Sequence, residues 1–374
     1  MLPKKSTAIL VVHGIGEQDP FSTLDCFVRN LYPVLKKDHP GEIKIIHKAE
    51  NREGWIDNYI GIKSAEDESA VLDVYEYYWA YLPQRQVNFV EILDWLIKTT
   101  NGARKFYEEN NRLIEEYEKD VRDEVFSSSS IKKRWYLKHL SWFVKLMAIL
   151  RIPKVPYVDG IIKALLGKGE KIFVDFVGDV VVYSSTSQKD KTFEIRKKIL
   201  DGAFNQLKII LECGKYENII AAGHSLGSVI AYDAINKINN EMLFNEKLRL
   251  CAGKLKGFVT FGSPLDKIAF FFRDHTQDEE YIRRQLLANY HNFKNKDLNL
   301  KNDSVRINTP YKAYLEHVKW INFWNIKDPV SGKLDFYRVD ENIDIPLYNK
   351  WGVCHIEFWE RPEMYQKIVE EYFN

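Results

Sequence analysis

At 374 residues the chain can bury a large core, and its length fits one large domain carrying an insertion or two smaller domains. Lys and Arg number 54 against 53 Asp and Glu, so no bulk charge calls for nucleic acid as a partner, and electrostatic targeting must come from a local cluster. The four cysteines, Cys26, Cys213, Cys251 and Cys354, lack the close spacing of a zinc site or a disulfide framework, which fits a reducing cytoplasm.

Thr7–Val12, TAILVV, is continuously apolar and β-branched, the pattern of a parallel strand buried on both faces. Lys4 and Lys5 precede it, but the apolar run is far shorter than a signal-peptide core, and no stretch of the chain approaches the ~20 apolar residues of a membrane span. The strand runs into His13-Gly14-Ile15-Gly16-Glu17-Gln18. Glycines there let backbone N–H groups approach a ligand, as an oxyanion hole requires; the alternative is an ordinary strand-to-helix turn. Leu24, Phe27, Val28, Leu31 and Leu35 fall on one side of a helix predicted over Ser22–Lys37, which Pro40-Gly41 stops. Glu42–His47 and Ala70–Trp79 are the next strands. Within the latter, Asp73 and Glu76 suggest a solvated end or edge and no catalytic role.

From 83 to 171 the character changes to charged, helically spaced segments. Residues 131–158 carry Lys132, Lys133 and Arg134 beside Trp135 and Trp142, with no acidic residue before Asp159. A basic, Trp-rich helix too short to span a bilayer suits peripheral membrane contact, and those five residues are the candidate lipid contacts. The plainer account is a cap helix whose lysines extend to water, and it is the better of the two. Either way the segment is expected to lie over a site as a lid.

Ile172–Tyr183 returns to apolar, β-branched character, and a long helix is predicted over Lys191–Leu211. Then comes Tyr216–Tyr232, YENIIAAGHSLGSVIAY, in which Ile219–Ala222 meets Gly223-His224-Ser225-Leu226-Gly227 and continues with helical spacing. This predicts strand, sharp turn, helix. A serine at the tip of such a turn is held in a strained backbone, and glycines two residues to either side are needed because a Cβ there would collide. Ser225 is the candidate nucleophile. Lys256–Phe261 is a further strand ending in Gly262-Ser263-Pro264, and Lys319–Ile326 another, ending at Lys327-Asp328-Pro329. A short strand around Ile343–Leu347, a loop containing His355 and a closing helix over Pro362–Tyr372 complete the chain.

Strands alternating with helices predict an α/β fold: a doubly wound, mostly parallel sheet with a helical cap insertion, the core formed by 1–82 and 172–374 and the cap by 83–171. Ser225, His13-Gly14, Asp328 and His355 all fall where a predicted strand gives way to a loop. A serine hydroxyl needs a neutral imidazole to accept its proton and a carboxylate to hold that imidazole. Asp328 is assigned as the acid, with Asp266, Asp335 and Asp340 as rivals. His355 is assigned as the base over His275, His291 and His317, because it alone permits the chain order Ser, Asp, His.

On these residues the chain resembles the α/β-hydrolase superfamily, and within it the lipase and esterase branch. Val12-His13-Gly14 is similar to that branch's oxyanion loop, Gly223-His224-Ser225-Leu226-Gly227 to its nucleophile elbow, and Phe261-Gly262-Ser263-Pro264 to the strand end that often follows. The resemblance implies oxyanion donors from the backbone N–H of Leu226 and of Ile15 or Gly14, and an ester substrate; a lipid or other acyl-bearing substrate is expected from the basic, aromatic stretch 131–158. No metal or organic cofactor is expected. Thioesterase and amidase chemistry use the same machinery, and a silent membrane-associated adaptor on the same fold is the rival from another class.

Overall fold

The computed structural model describes residues 2–14, 19–37, 39, 41–52, 55–66, 71–83, 183, 192–266, 282–283, 286, 291–295, 308, 310–328, 330–334, 337–349 and 354–373. Its centre is strand β1 (Thr7–Val12), buried at every residue. It pairs in parallel with β4 (Val71–Tyr77) on one side and β5 (Asn218–His224) on the other. Beyond β4 lie β3 (Trp55–Ser64) and β2 (Ile43–Arg52), and beyond β5 lie β6 (Leu255–Phe261), β7 (Lys319–Trp324) and β8 (Glu341–Asp344). The order is β2-β3-β4-β1-β5-β6-β7-β8, and among these strands β3 alone runs against the rest.

The alternation of β1 shows why helices must cover both faces. Ala8, Leu10 and Val12 enter one core with residues of α2 (Phe193–Glu212) and α3 (Leu226–Glu241). Ile9 and Val11 enter the other with α1 (Ser22–Lys37) and α5 (Pro362–Tyr372). In α1 the buried residues include Leu24, Phe27, Val28, Leu31 and Leu35, the predicted stripe. Each such side chain contributes roughly 1.5–3 kcal/mol when fully buried. The fold is therefore α/β with a mixed, mostly parallel sheet.

Several elements depart from the sequence reading. The second strand is longer than Glu42–His47 and turns back as β3, a ten-residue pairing from Ile43↔Ser64 to Arg52↔Trp55. Asp57, Asn58, Gly61 and Lys63 dilute the apolar alternation of β3, which is why its pattern is weak. A Cβ on Gly61 would come within 2.5 Å of Lys48 Cε, the movable end of a long side chain. Asp73 is not at a solvated edge. It is buried, paired with Lys48 Nζ at 2.7 Å, and accepts the Tyr216 hydroxyl at 2.7 Å. Glu76 caps α1 from the sheet, its Oε2 accepting the Phe21 N–H at 2.7 Å where the helix dipole favours negative charge. Two short elements were also not foreseen, α4 (Glu246–Leu250) and a 3₁₀ helix over Cys354–Glu360. Of the apolar run 172–183 only Tyr183 is described, and it is helical. The proposed cap, 83–171, lies outside the described residues except for Pro83. Among the described residues no helix is long and apolar enough to cross a membrane.

Candidate active site

The chain leaves β1 toward β4 on one side and then reaches β5 on the other, so the carboxyl ends of β1 and β5 adjoin at the reversal of strand order. Open parallel sheets bind ligands at such a point. Val12 is in register with Gly223 there.

Ser225 follows β5 directly and has φ 51° and ψ −130°, a left-handed conformation that a side chain-bearing residue adopts at a cost of order 1–3 kcal/mol. Close packing enforces it. A Cβ on Gly223 would lie 2.5 Å from Ser228 Cα, and one on Gly227 would lie 2.3 Å from the carbonyl oxygens of both Val12 and His13. The Ser225 N–H donates to the Phe261 carbonyl at 3.1 Å, and Ser228 Oγ bridges the Ser225 carbonyl and Ser263 Oγ. The turn is thereby tied to the ends of β1 and β6. Ser225 Oγ itself is buried and has no hydrogen-bond partner among the described residues. Leu226 opens α3, so its N–H is among those that find no partner within the helix.

The β1 loop lies against this serine. A Cβ on Gly14 would come within 2.7 Å of Ser225 Cβ. His13 is fixed by Trp79, whose backbone N–H donates to His13 Nε2 at 3.1 Å and whose indole N–H donates to the His13 carbonyl at 3.0 Å. The rings stack at 5.0 Å. Because Nε2 accepts, Nδ1 carries the proton and donates to the Gly14 carbonyl at 2.6 Å. Burial holds the His13 pKa down to about 4, so the ring is neutral at pH 7. Ile15, the other expected donor, lies outside the described residues.

The third part comes from the far side of the sheet. His355 Nδ1 and Asp328 Oδ2 are 2.7 Å apart, both residues buried. A carboxylate accepts, so Nδ1 donates and Nε2 keeps its lone pair, the tautomer a general base needs. Asp328 sits on a braced turn: its N–H donates to the Asn325 carbonyl at 3.1 Å and its Oδ1 accepts the Val330 N–H at 3.0 Å. Asn325 in turn donates to Asp344 Oδ1 at 2.7 Å and to the Ile345 carbonyl at 2.8 Å. The 3₁₀ helix carrying His355 is pinned by Glu357, which accepts the N–H groups of Tyr348 and Asn349 and pairs with Arg361. Burial alone would raise the Glu357 pKa, but those N–H donors and the guanidinium hold it below the usual range. Gly262 has φ 61°, a conformation that favours glycine, and a Cβ there would press on His355 Cε1 at 3.0 Å.

The structure thus gathers Ser225, Leu226, Gly14, Asp328 and His355 at one edge of the sheet. It joins acid and base directly, while no hydrogen bond links Ser225 Oγ to His355. Such contacts are often long without substrate and tighten with it. Three of the rivals are engaged elsewhere, while Asp266 is buried beyond the end of β6. Asp340 accepts from Lys294 Nζ and the Trp320 N–H, His317 Nε2 bonds the Ala252 and Leu255 carbonyls, and His291 Nδ1 faces Asp233 at 3.4 Å. Asp335, His275, Lys132, Lys133, Arg134, Trp135 and Trp142 lie outside the described residues. Among the described residues no cluster of His, Cys, Asp and Glu could hold a metal ion. Sequence reasoning missed Trp79, His224 and Glu357. An imidazole inside the elbow motif was the one available signal, for His224. No protein-family description, curated protein or solved structure matches the chain.

Proposed function

We propose that this chain is a serine hydrolase of the α/β-hydrolase kind that cleaves a carboxylic ester through an acyl-enzyme on Ser225. The observation that carries the reading is the strained Ser225 backbone at the end of β5, on the same sheet edge as a His355–Asp328 pair at 2.7 Å. In the proposed reaction Ser225 Oγ forms a bond to the substrate carbonyl carbon as its proton passes to His355 Nε2. The carbonyl oxygen takes up negative charge against the N–H of Leu226 and of Gly14 or Ile15. The C–O bond to the alcohol then breaks, and the alcohol leaves with the proton from His355. Water, deprotonated by the same nitrogen, attacks the acyl carbon; the bond to Ser225 Oγ then breaks, His355 returns the proton to Oγ, and the acid is released. Thioesters and amides would be cleaved by the same steps. A lipid substrate and contact with a membrane surface are proposed from the basic, aromatic composition of 131–158 alone.

The test is Ser225→Ala assayed on short p-nitrophenyl esters with fluorophosphonate labelling. Loss of turnover by about 10⁶-fold, the scale for removing a triad serine, and loss of the label are expected. Retained hydrolysis would end the reading. The second reading, an adaptor without turnover, draws on the missing hydrogen bond between Ser225 Oγ and His355. It predicts an intact chain that takes no fluorophosphonate. Liposome co-sedimentation with Lys132, Lys133 and Arg134 replaced by Ala separates lipid contact from a plain cap, since only lipid contact would be weakened.

A further inference from the structure

We infer that His224, the residue before the nucleophile, is a positioning residue for the general base, holding the His355 main chain so that its ring stays between Asp328 and Ser225. The inference rests on the serine hydrolase reading. His224 Nε2 lies 2.9 Å from the His355 carbonyl oxygen. A carbonyl only accepts, so Nε2 carries the proton and donates. The two imidazoles are 4.7 Å apart between centroids, and His224 is walled in by Phe261, Phe358 and Trp359. The same ring borders the oxyanion loop on its other edge, since a Cβ on Gly14 would meet His224 Nδ1 at 3.1 Å. One rigid side chain therefore spans from the base to the loop that faces the developing oxyanion.

The charge state of His224 suits this place. Among the described residues the titratable groups around it include His355, Asp328 and His13, and those facing His355 include Asp328 and His224. When Ser225 gives up its proton, His355 becomes an imidazolium, and a second cation 4.7 Å away would oppose it. Burial, and next the neighbouring His355, hold the His224 pKa down to about 3. Two adjacent histidines thus divide the work: one stays neutral and donates, the other takes and returns the proton.

The experiment compares His224→Phe, which keeps a ring and removes the donor, with His224→Gln, whose amide nitrogen can occupy the place of Nε2. Active-site concentration is measured by fluorophosphonate titration, and kcat, KM and the pH profile of kcat/KM are measured on a short p-nitrophenyl ester. For H224F, kcat per titrated site should fall about 10- to 100-fold with KM nearly unchanged, the scale for a misplaced catalytic group. Its kcat/KM–pH profile should depart from wild type on the acid limb, because the base would no longer be held against Asp328. H224Q should recover most of the rate and the wild-type acid limb. A merely structural role would lower thermal stability and the fraction of titratable sites while leaving both readouts in place. An H224F enzyme with wild-type kcat per site and acid limb, or a folded H224Q as impaired as H224F, overturns the inference alone. A wild-type chain that neither labels nor turns over removes the hydrolase reading, and this inference with it.

Discussion

The two halves of the candidate site are built by different means. On the β1–β5 side position is set by steric exclusion: Gly14, Gly223 and Gly227 leave no room for a Cβ, and main-chain atoms pack directly on one another. On the β7–β8 side it is set by polar bonds between side chains and backbone, through Asn325, Asp344, Glu357 and Arg361. The first is rigid because nothing can move in. The second is rigid only while each donor keeps its acceptor, and so it offers more single substitutions that disturb geometry without blocking the fold.

Substitutions separate the halves. Asp328→Asn should leave the fold intact by circular dichroism and lower kcat about 10⁴-fold, the scale known for a triad carboxylate. If Asp335→Asn had that effect instead, the acid is misassigned. Gly227→Ala should cost about 3 kcal/mol or more in urea unfolding and abolish fluorophosphonate labelling, since its Cβ would sit 2.3 Å from two β1 carbonyl oxygens. Normal stability there would mean that the steric half is looser than its contacts. Glu357→Gln keeps shape but removes the charge opposite Arg361. It should cost about 1–3 kcal/mol of stability and lower kcat more than it changes KM.

A more gradual effect is a pH dependence shared by the elbow and its loop. The folded-state pKa values of His13 and His224 are depressed to about 4 and about 3 from an ordinary 6.5. As pH falls below 6.5 the unfolded chain takes up protons that the folded chain refuses. The stability present above 6.5 is therefore lost progressively, down to about pH 4 for His13 and pH 3 for His224. Each site contributes a slope of about 1.4 kcal/mol per pH unit. Urea midpoints measured between pH 7 and 5 should follow it, and His224→Gln should reduce it by about half.

The same contrast explains what was legible in the sequence. The elbow is local: two glycines flanking a serine between an apolar run and a helical one state both conformation and exposure, and Ser225 has the left-handed φ that this implies. Asp328 and His355 were singled out from chain order, but His355 lies in a 3₁₀ helix and not at a strand end. What braces them was not legible, because Glu357 meets Tyr348 and His224 meets His355 only through the fold, the latter across 131 residues. Strand β3 escaped notice because Asp57, Asn58, Gly61 and Lys63 break its apolar alternation, and its pairing with β2 exists only in the fold. Asp73 was misjudged for the same reason, its cation and its tyrosine donor lying on other strands and loops.

Gly227 rests on the carbonyls of Val12 and His13 with no side chain between. The spacing between the start of α3 and the end of β1 is thus set by main-chain contact, whichever aliphatic residues fill the cores above and below. Exchanging one aliphatic core residue for another therefore leaves that spacing in place, whereas any side chain at 227 does not.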